Sequence, residues 1–284
     1  MKLETAIKKA QVLIEALPYL KRFHKKIFVI KYGGSILGEE RVRKEVLEDI
    51  VFLAFSGIRP VLVHGGGPQI SERLKKEGIK TEFYEGMRKT DLRTLEIVEE
   101  ELNKINDLLV KEISSHKANV RGFKTEDCVF IAEKKVSEID LGYVGRVIEV
   151  NPEKILKACR EHFIPVITPM GISKTREKFN LNADESASKL AAKLKAEKLI
   201  FLTDVRGIMR GEGENNLIPT LTESEAQELI REGIINKGML PKVQNAILAL
   251  KEGVKKVHII SALIPHSLLL EIFTDEGIGT EILR

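Results

Sequence analysis

The chain of 284 residues predicts an α/β fold: an open, mostly parallel central sheet flanked by helices on both faces, built as two lobes and preceded by an N-terminal helical arm. Three observations carry that expectation. Short apolar runs alternate with helical patterns along most of the chain, as βαβ units do. The runs are continuously apolar, as in strands buried on both faces. Two of them, Ile27-Phe28-Val29-Ile30 and Val61-Leu62-Val63, lead directly into glycine turns, Lys31-Tyr32-Gly33-Gly34 and His64-Gly65-Gly66-Gly67. Such a turn followed by a helix bares backbone N–H groups at the carboxyl edge of a parallel sheet, where the helix N-terminus also attracts anions.

In chain order, Leu3, Ala6, Ile7, Ala10, Leu13, Ile14, Leu17 and Leu20 recur at three- and four-residue spacing and predict an amphipathic helix in an arm spanning 1–25. It stands ahead of the first strand, so periodicity leaves packing on its own domain and contact in an oligomer equally open. Strands are expected at Ile27–Ile30, Val61–Val63, Ala118–Val120, Ile164–Ile167, Leu199–Leu202 and Val257–Ile260. Helices are expected around 40–57, 68–78, 91–115, 152–162, 183–195, 222–232 and 243–252. Between them, Cys128–Ala132 and Tyr143–Val150, broken by Asp140, Gly142 and Gly145, predict a β-hairpin beside the main sheet. Arg210–Asn216 is the one loop-like polar stretch. With no linker to mark a boundary, chemistry places it near Gly171, giving lobes 26–171 and 172–284.

Composition narrows the function. Lys plus Arg number 46 against 42 Asp plus Glu, with the signs interspersed, which does not call for nucleic acid or an anionic membrane. Cys128 and Cys159 have no metal-ligand spacing, fit a reducing compartment, and leave no protein-held metal site to expect. The first twenty residues carry Lys2, Glu4, Lys8, Lys9 and Glu15, and no run of eighteen apolar residues occurs, so a soluble cytoplasmic protein is expected. No Walker loop, Gly-x-Gly-x-x-Gly, Gly-x-Ser-x-Gly elbow or His-Glu-x-x-His is present.

The remaining constellations point to anions. Lys31 ends a strand, where its ammonium reaches the crevice above the sheet or, alternatively, faces solvent. His64 reads as a support for its own turn more readily than as an acid or base. Gly66 and Gly67 are what that turn exposes. Arg88 lies one turn upstream of a helix capped by Thr90 or Asp91, a place for a bidentate carboxylate clamp or for a structural arginine. Asn180 and Asn182 alternate along an extended segment, with Asp184 just beyond; Asn182 and Glu185 also suit a capping box. Leu202-Thr203-Asp204-Val205-Arg206-Gly207-Ile208 leaves a strand through an acidic turn, a frequent nucleotide contact or simply an Asx-turn. Lys242, in the first turn of the helix after Lys237-Gly238-Met239-Leu240-Pro241, opposes the helix dipole, which suits a lysine that serves an anion.

The ordered set Lys31-Tyr-Gly-Gly, Val63-His-Gly-Gly-Gly-Pro-Gln, Gly86-Met-Arg-Lys-Thr-Asp, Asp140-Leu-Gly-Tyr-Val-Gly, Asn180-Leu-Asn-Ala-Asp, Leu202-Thr-Asp-Val-Arg-Gly-Ile, Gly238-Met-Leu-Pro-Lys-Val and Gly277-Ile-Gly-Thr closely resembles the N-acetylglutamate kinases of the amino-acid-kinase superfamily, almost end to end. The resemblance implies the amino-acid-kinase fold and ATP-dependent phosphorylation of the side-chain carboxylate of N-acetyl-L-glutamate, the second step of arginine biosynthesis. It implies Lys31 and Lys242 as stabilisers of the transferring phosphoryl group, with Asp184 holding both. Gly34, Gly66, Gly67, Arg88, Asn180 and Asn182 would bind the acceptor, in the first lobe. Asp204, Val205, Arg206, Gly207, Ile208, Met209, Gly238 and Met239 would bind ATP, in the second, with Mg²⁺ held through ATP oxygens.

Glu15-Ala16-Leu17-Pro18-Tyr19 is similar to the N-terminal helix of arginine-inhibited members, which interlaces three dimers into a hexamer. L-arginine would then sit near Tyr19, Lys198, His266, Glu271 and Gly279. Three departures from the family pattern stand out: Ser261-Ala262-Leu263 before Ile264-Pro265-His266, the segment Gly122-Phe-Lys-Thr-Glu-Asp-Cys128, and Ser35 beside Gly34. A kinase for the one-methylene-longer N-acetyl-aminoadipate, and a catalytically silent arginine sensor, are the alternatives; a PII-type partner is not legible.

Overall fold

The computed structural model describes residues 3–211, 216–236 and 238–284; Lys237 and the middle of Arg210–Asn216 lie outside the described residues. The main sheet has eight strands in the spatial order Thr220–Thr222, Thr280–Leu283, Lys256–Ser261, Lys198–Thr203, Ile27–Tyr32, Arg59–His64, Ile164–Ile167 and Val120–Phe123. Every neighbouring pair is parallel except Lys256–Ser261 with Thr280–Leu283. All six expected main-sheet strands form; the third lies at Val120–Phe123 rather than Ala118–Val120, because Ala118 and Asn119 belong to the irregular connection after helix Leu92–Ser115.

The alternation of strand side chains builds two cores. Val29, Val61, Val63, Leu199, Phe201, Val257 and Ile259 face one layer, packed by helices Glu153–Arg160, Ala183–Lys193, Glu223–Arg231 and Met239–Lys251. Phe28, Ile30, Tyr32, Leu62, Ile200, Leu202 and Ile260 face the other, packed by Leu17–Phe23, Glu40–Phe55, Leu92–Ser115 and Ser267–Phe273. Each such side chain, fully buried, contributes roughly 1.5–3 kcal/mol. This parity decides what the polar residues at the strand ends can reach: Lys31 falls on the face of Val29, whereas His64, Lys198 and His258 fall on the opposite face.

From strand Ile27–Tyr32 the chain first builds outward through Arg59–His64, and strand Lys198–Thr203 is added later on the other flank. Their carboxyl ends therefore flank a topological switch point, where ligands of open α/β sheets bind. The two ends touch there, Gly33 N–H donating to the Leu202 carbonyl over 3.2 Å.

The expected hairpin forms as antiparallel strands Phe130–Lys134 and Gly145–Val150, and it belongs to a four-stranded sheet with Met170–Ile172 and Lys178–Asn180. Gly171 thus lies inside a strand, while the main sheet runs through both halves of the chain. The arm is two helices, Leu3–Glu15 and Leu17–Phe23, parted at Ala16, with Pro18 in the first turn of the second. Leu3, Val12, Leu13 and Ile14 are exposed, so the apolar stripe of the first helix is not covered by its own chain.

Candidate active site

Lys31, on the Val29 face at the end of its strand, meets the first turn of helix Ala183–Lys193. Its Nζ lies 2.9 Å from Asp184 Oδ1, and the Nζ of Lys242, from the neighbouring helix Met239–Lys251, lies 2.8 Å from Asp184 Oδ2. Asp184 bridges the two lysines. Burial pushes its carboxyl up, but the charges of Lys31 and Lys242 outweigh this and hold it at about 2. Burial lowers the Lys31 ammonium, opposed by Asp184. Two cations around one anion leave a net positive charge in a nearly dry site, which suits a phosphoryl group carrying several negative oxygens.

Asn182 caps helix Ala183–Lys193, its Oδ1 accepting the N–H groups of Asp184 and Glu185 over 2.9 and 3.1 Å. The expected capping box forms only in this half. Glu185 turns away, and its Oε1 accepts from Val147 N–H over 3.0 Å, tying the helix that carries Asp184 to the second sheet.

The two glycine turns face each other. A Cβ on Gly34 would stand 2.9 Å from the backbone nitrogens of both Gly66 and Gly67, so only glycine permits this approach. Gly66 caps helix Gly67–Lys76, which begins with bare N–H groups. Behind them lies the His64 ring, fully buried. Its Nδ1 is 3.1 Å from the Gly65 carbonyl, and its Nε2 is 3.4 Å from both Asn106 Nδ2 and Thr168 Oγ1. Burial drives its pKa to about 4. A neutral imidazole holding its turn matches the sequence expectation.

Gly65, Gly66 and Gly67 share one cavity with Arg88, Asn180, Asn182, Ile70, Phe83 and Leu102. Arg88 is buried; its guanidinium donates to the Gly67 carbonyl over 2.9 Å, to Ser71 Oγ over 2.7 Å and to Thr81 Oγ1 over 3.4 Å, and lies 4.8 Å from the centre of the Phe83 ring. No carboxylate pairs with it among the described residues. A buried cation held only by neutral groups is a receptor for an anion. Asp91, not Thr90, caps helix Leu92–Ser115, accepting from Thr94 N–H over 2.7 Å.

Of the residues expected to bind ATP, Asp204, Val205 and Arg206 are exposed at the carboxyl end of strand Lys198–Thr203, on the other side of the switch point from Gly33. Gly207 and Ile208 are buried and Met209 half-buried. Gly207 has φ +154°, and a Cβ there would meet Thr280 Oγ1 at 2.6 Å, the same hydroxyl that accepts from Ile208 N–H over 2.8 Å. Gly238 and Met239 begin the helix that carries Lys242.

A second cavity of ≈ 180 Å³ opens on the opposite face, lined by Tyr19, Arg22, Lys198, His258, Glu271, Gly279 and Glu281 among others. Of the five residues expected around arginine, Tyr19, Lys198, Glu271 and Gly279 lie here. His266 does not: it faces Asp49, with Nδ1 2.7 Å from Oδ1, in a pair joining helix Glu40–Phe55 to the start of helix Ser267–Phe273. The histidine in the cavity is His258, 2.7 Å from Lys198 Nζ and 2.6 Å from Glu271 Oε1. Its signal in the sequence is a single polar residue inside the apolar run Val257-His258-Ile259-Ile260. Nothing comparable marks Ser71 or Thr81, whose importance is wholly spatial.

The switch-point cleft, with its lysine pair, bridging aspartate and opposed glycine turns, defines a phosphotransferase of the α/β class. Residues 26–261 match the amino acid kinase family, and the chain belongs to that family. It is similar to the acetylglutamate kinase of Aquifex aeolicus, with 47% identity across 97% of this chain and 98% of that protein. Among solved structures, it resembles the N-acetylglutamate synthase from Neisseria gonorrhoeae complexed with coenzyme A and N-acetyl-glutamate, at TM-score 0.87 and 26% identity, covering 97% of this chain and 63% of that one. The same synthase complexed with coenzyme A and L-arginine gives TM-score 0.84 and 25% identity, covering 96% of this chain and 65% of that one.

Proposed function

We propose that this chain transfers the γ-phosphoryl group of ATP to the side-chain carboxylate of N-acetyl-L-glutamate, as its acetylglutamate kinase relatives are named for doing, within arginine biosynthesis. The observation that carries the acceptor reading is the buried Arg88, which no carboxylate pairs among the described residues, in a cavity walled by the Gly65–Gly67 turn. Arg88 takes the α-carboxylate, and the N–H groups of Gly34, Gly66 and Gly67 receive the carboxylate that reacts. Asp204–Met209, Gly238 and Met239 hold the nucleotide from the other side. Both Asp184 oxygens face lysines, so Mg²⁺ would be held through ATP itself and would neutralise phosphate charge there.

A carboxylate with a reference pKa near ~4.3 is ionised at pH 7 and needs no general base. One of its oxygens attacks the γ-phosphorus as the bond to the β–γ bridging oxygen breaks, and ADP leaves. The difficulty is the meeting of two anions, so positioning and charge neutralisation carry the reaction. Lys31 and Lys242 supply the charge, and Asp184 fixes the distance between them.

The second cavity supports an arginine site. Its carboxylates suit a guanidinium, and Lys198 with Arg22 suits an α-carboxylate. The uncovered stripe of Leu3–Glu15 supports an oligomer arm, read as a trimer of dimers. Coupled ADP release, measured with N-acetylglutamate, with N-acetyl-aminoadipate and with neither, tests the acceptor. The expected result is turnover only with an acceptor and a higher kcat/KM for the shorter one. ATP turnover independent of N-acetylglutamate overturns the reading, and a higher kcat/KM for aminoadipate reassigns the substrate.

A further inference from the structure

Resting on the acceptor reading above, we propose that Thr90 is a specificity-determining positioning residue: its hydroxyl fixes the Asn180 amide so that a carbonyl oxygen faces the acceptor cavity and selects a ligand bearing an amide N–H. The argument is a count of protons. Thr90 is fully buried, and its hydroxyl lies 2.7 Å from the Arg88 carbonyl and 3.2 Å from the Asn180 side-chain amide. A carbonyl cannot donate, so the one hydroxyl proton goes to Arg88 O. The Asn180 atom facing Thr90 must then be the donor, Nδ2, which leaves Oδ1 as the group free for a ligand.

The rest of the local structure locks this arrangement. Thr90 N–H donates to the Leu141 carbonyl over 2.9 Å, and the Thr90 carbonyl accepts from Tyr143 N–H over 2.7 Å, so every polar group of the residue is engaged. Asn180 N–H donates to the Tyr143 carbonyl over 2.9 Å. Gly142, at φ +71°, lets the two segments close, since a Cβ there would collide with the Thr90 carbonyl. Asn182 is set in the opposite sense: its Oδ1 is engaged by the helix N–H groups, which leaves Nδ2 as the donor. Two asparagines two residues apart thus present one acceptor and one donor to the same cavity. An acylated amine, with its N–H and its carbonyl, complements both.

The test compares N-acetyl-L-glutamate with 2-acetoxyglutarate, which has an ester oxygen where the amide has N–H, as acceptors in ADP release. A site built around a ligand N–H rejects the analogue lacking it strongly, so wild-type protein is expected to prefer the amide in kcat/KM by about 10²-fold or more. Thr90→Ser keeps the hydroxyl and retains that preference. Thr90→Val frees Asn180 to turn, and the preference drops by about tenfold or more, with KM for the acceptor rising and KM for ATP unchanged. Full preference in Thr90→Val overturns the proposal, as does equal use of the two compounds by the wild type, a result that does not depend on whether the valine variant folds. Wild-type protein that releases no ADP with N-acetylglutamate overturns the acceptor reading and this proposal with it; equal use of both compounds leaves that reading standing.

Discussion

Lys31 and Lys198 sit in neighbouring strands at opposite ends and on opposite faces of the sheet, and both are almost completely buried. Lys31 shares its carboxylate with a second lysine, so the cleft around Asp184 carries surplus positive charge. Lys198 reaches its carboxylate through His258, in a cavity where Arg22, Lys198 and Lys256 meet Glu197, Glu271, Asp275, Glu276 and Glu281. That cavity carries surplus negative charge. Burial pushes the Lys198 ammonium down to about 8, with Glu281 and Glu271 opposing. Two buried lysines on one sheet thus prepare for ligands of opposite charge, and what sorts them is the number of carboxylates within reach. The cleft suits phosphoryl oxygens; the cavity suits a cationic amino acid.

The largest break in this comparison comes from the bridging carboxylate. Asp184→Asn leaves Lys31 and Lys242 facing each other without a shared anion. We expect kcat for ADP release to fall about 10²–10³-fold, as when one preorganised electrostatic group is lost. Unfolding in denaturant should show a loss of about 3 kcal/mol, because a buried charge is left unpaired. Lys31→Met and Lys242→Met should each lower kcat by a similar factor. A kcat for Asp184→Asn within about threefold of wild type would remove the trio from the mechanism.

A smaller effect sharpens the other half. His258→Asn and Glu271→Gln should each raise the arginine concentration for half-inhibition by about tenfold or more, the scale of one or two charge-assisted hydrogen bonds. His266→Asn should shift it less than about twofold, since His266 faces Asp49 and not the cavity. The reverse ranking would restore His266 to the proposed arginine site. Removing residues 1–22 takes away Tyr19 and the uncovered helix together, so light scattering should find dimers and arginine should inhibit far more weakly. A truncated hexamer with unchanged inhibition would refute the arm's role.

Much of this is legible in the sequence, for a physical reason. Strands buried on both faces are continuous apolar runs, and glycines are needed where Gly34 approaches the Gly66 and Gly67 nitrogens, so both leave local marks. Lys31, Asp184 and Lys242 were separable from background because the motifs around them recur in order. His266 came from the resemblance alone, and His258, one polar residue in a buried apolar run, was not singled out; parity along Lys256–Ser261 is what turns His258 toward Glu271. The strands Met170–Ile172 and Lys178–Asn180 are too short to show a period. Thr90 was read only as a helix cap, because its partners lie 52 and 90 residues away along the chain or belong to backbone that no side-chain pattern announces.

The smallest expected effect concerns His64, which lies behind the cleft and, unlike His258 in its cavity, has no carboxylate partner among the described residues. Its folded pKa of about 4 lies below the unfolded reference near ~6.5, so the folded state binds fewer protons and stability falls as pH drops from about 6.5 to 4. Asp49 acts in the opposite sense over part of that window. Burial raises it to about 6, and His266 and the Leu268 N–H hold it down only partly, so the folded state gains its proton early and is favoured as pH falls. His266, raised chiefly by its hydrogen bond to Asp49, adds to the same side. His258, which burial also lowers, adds to the His64 side, so between pH 6.5 and 5 the wild-type unfolding free energy is a balance of opposed contributions. Asp184, held at about 2, adds its own loss only below about pH 4. In His64→Gln its falling contribution is gone and the others remain, so on going from pH 6.5 to 5 the variant should gain stability relative to the wild type. Urea unfolding at the two pH values reads the difference directly. Parallel curves for both proteins would mean that His64 does not stay neutral in its turn.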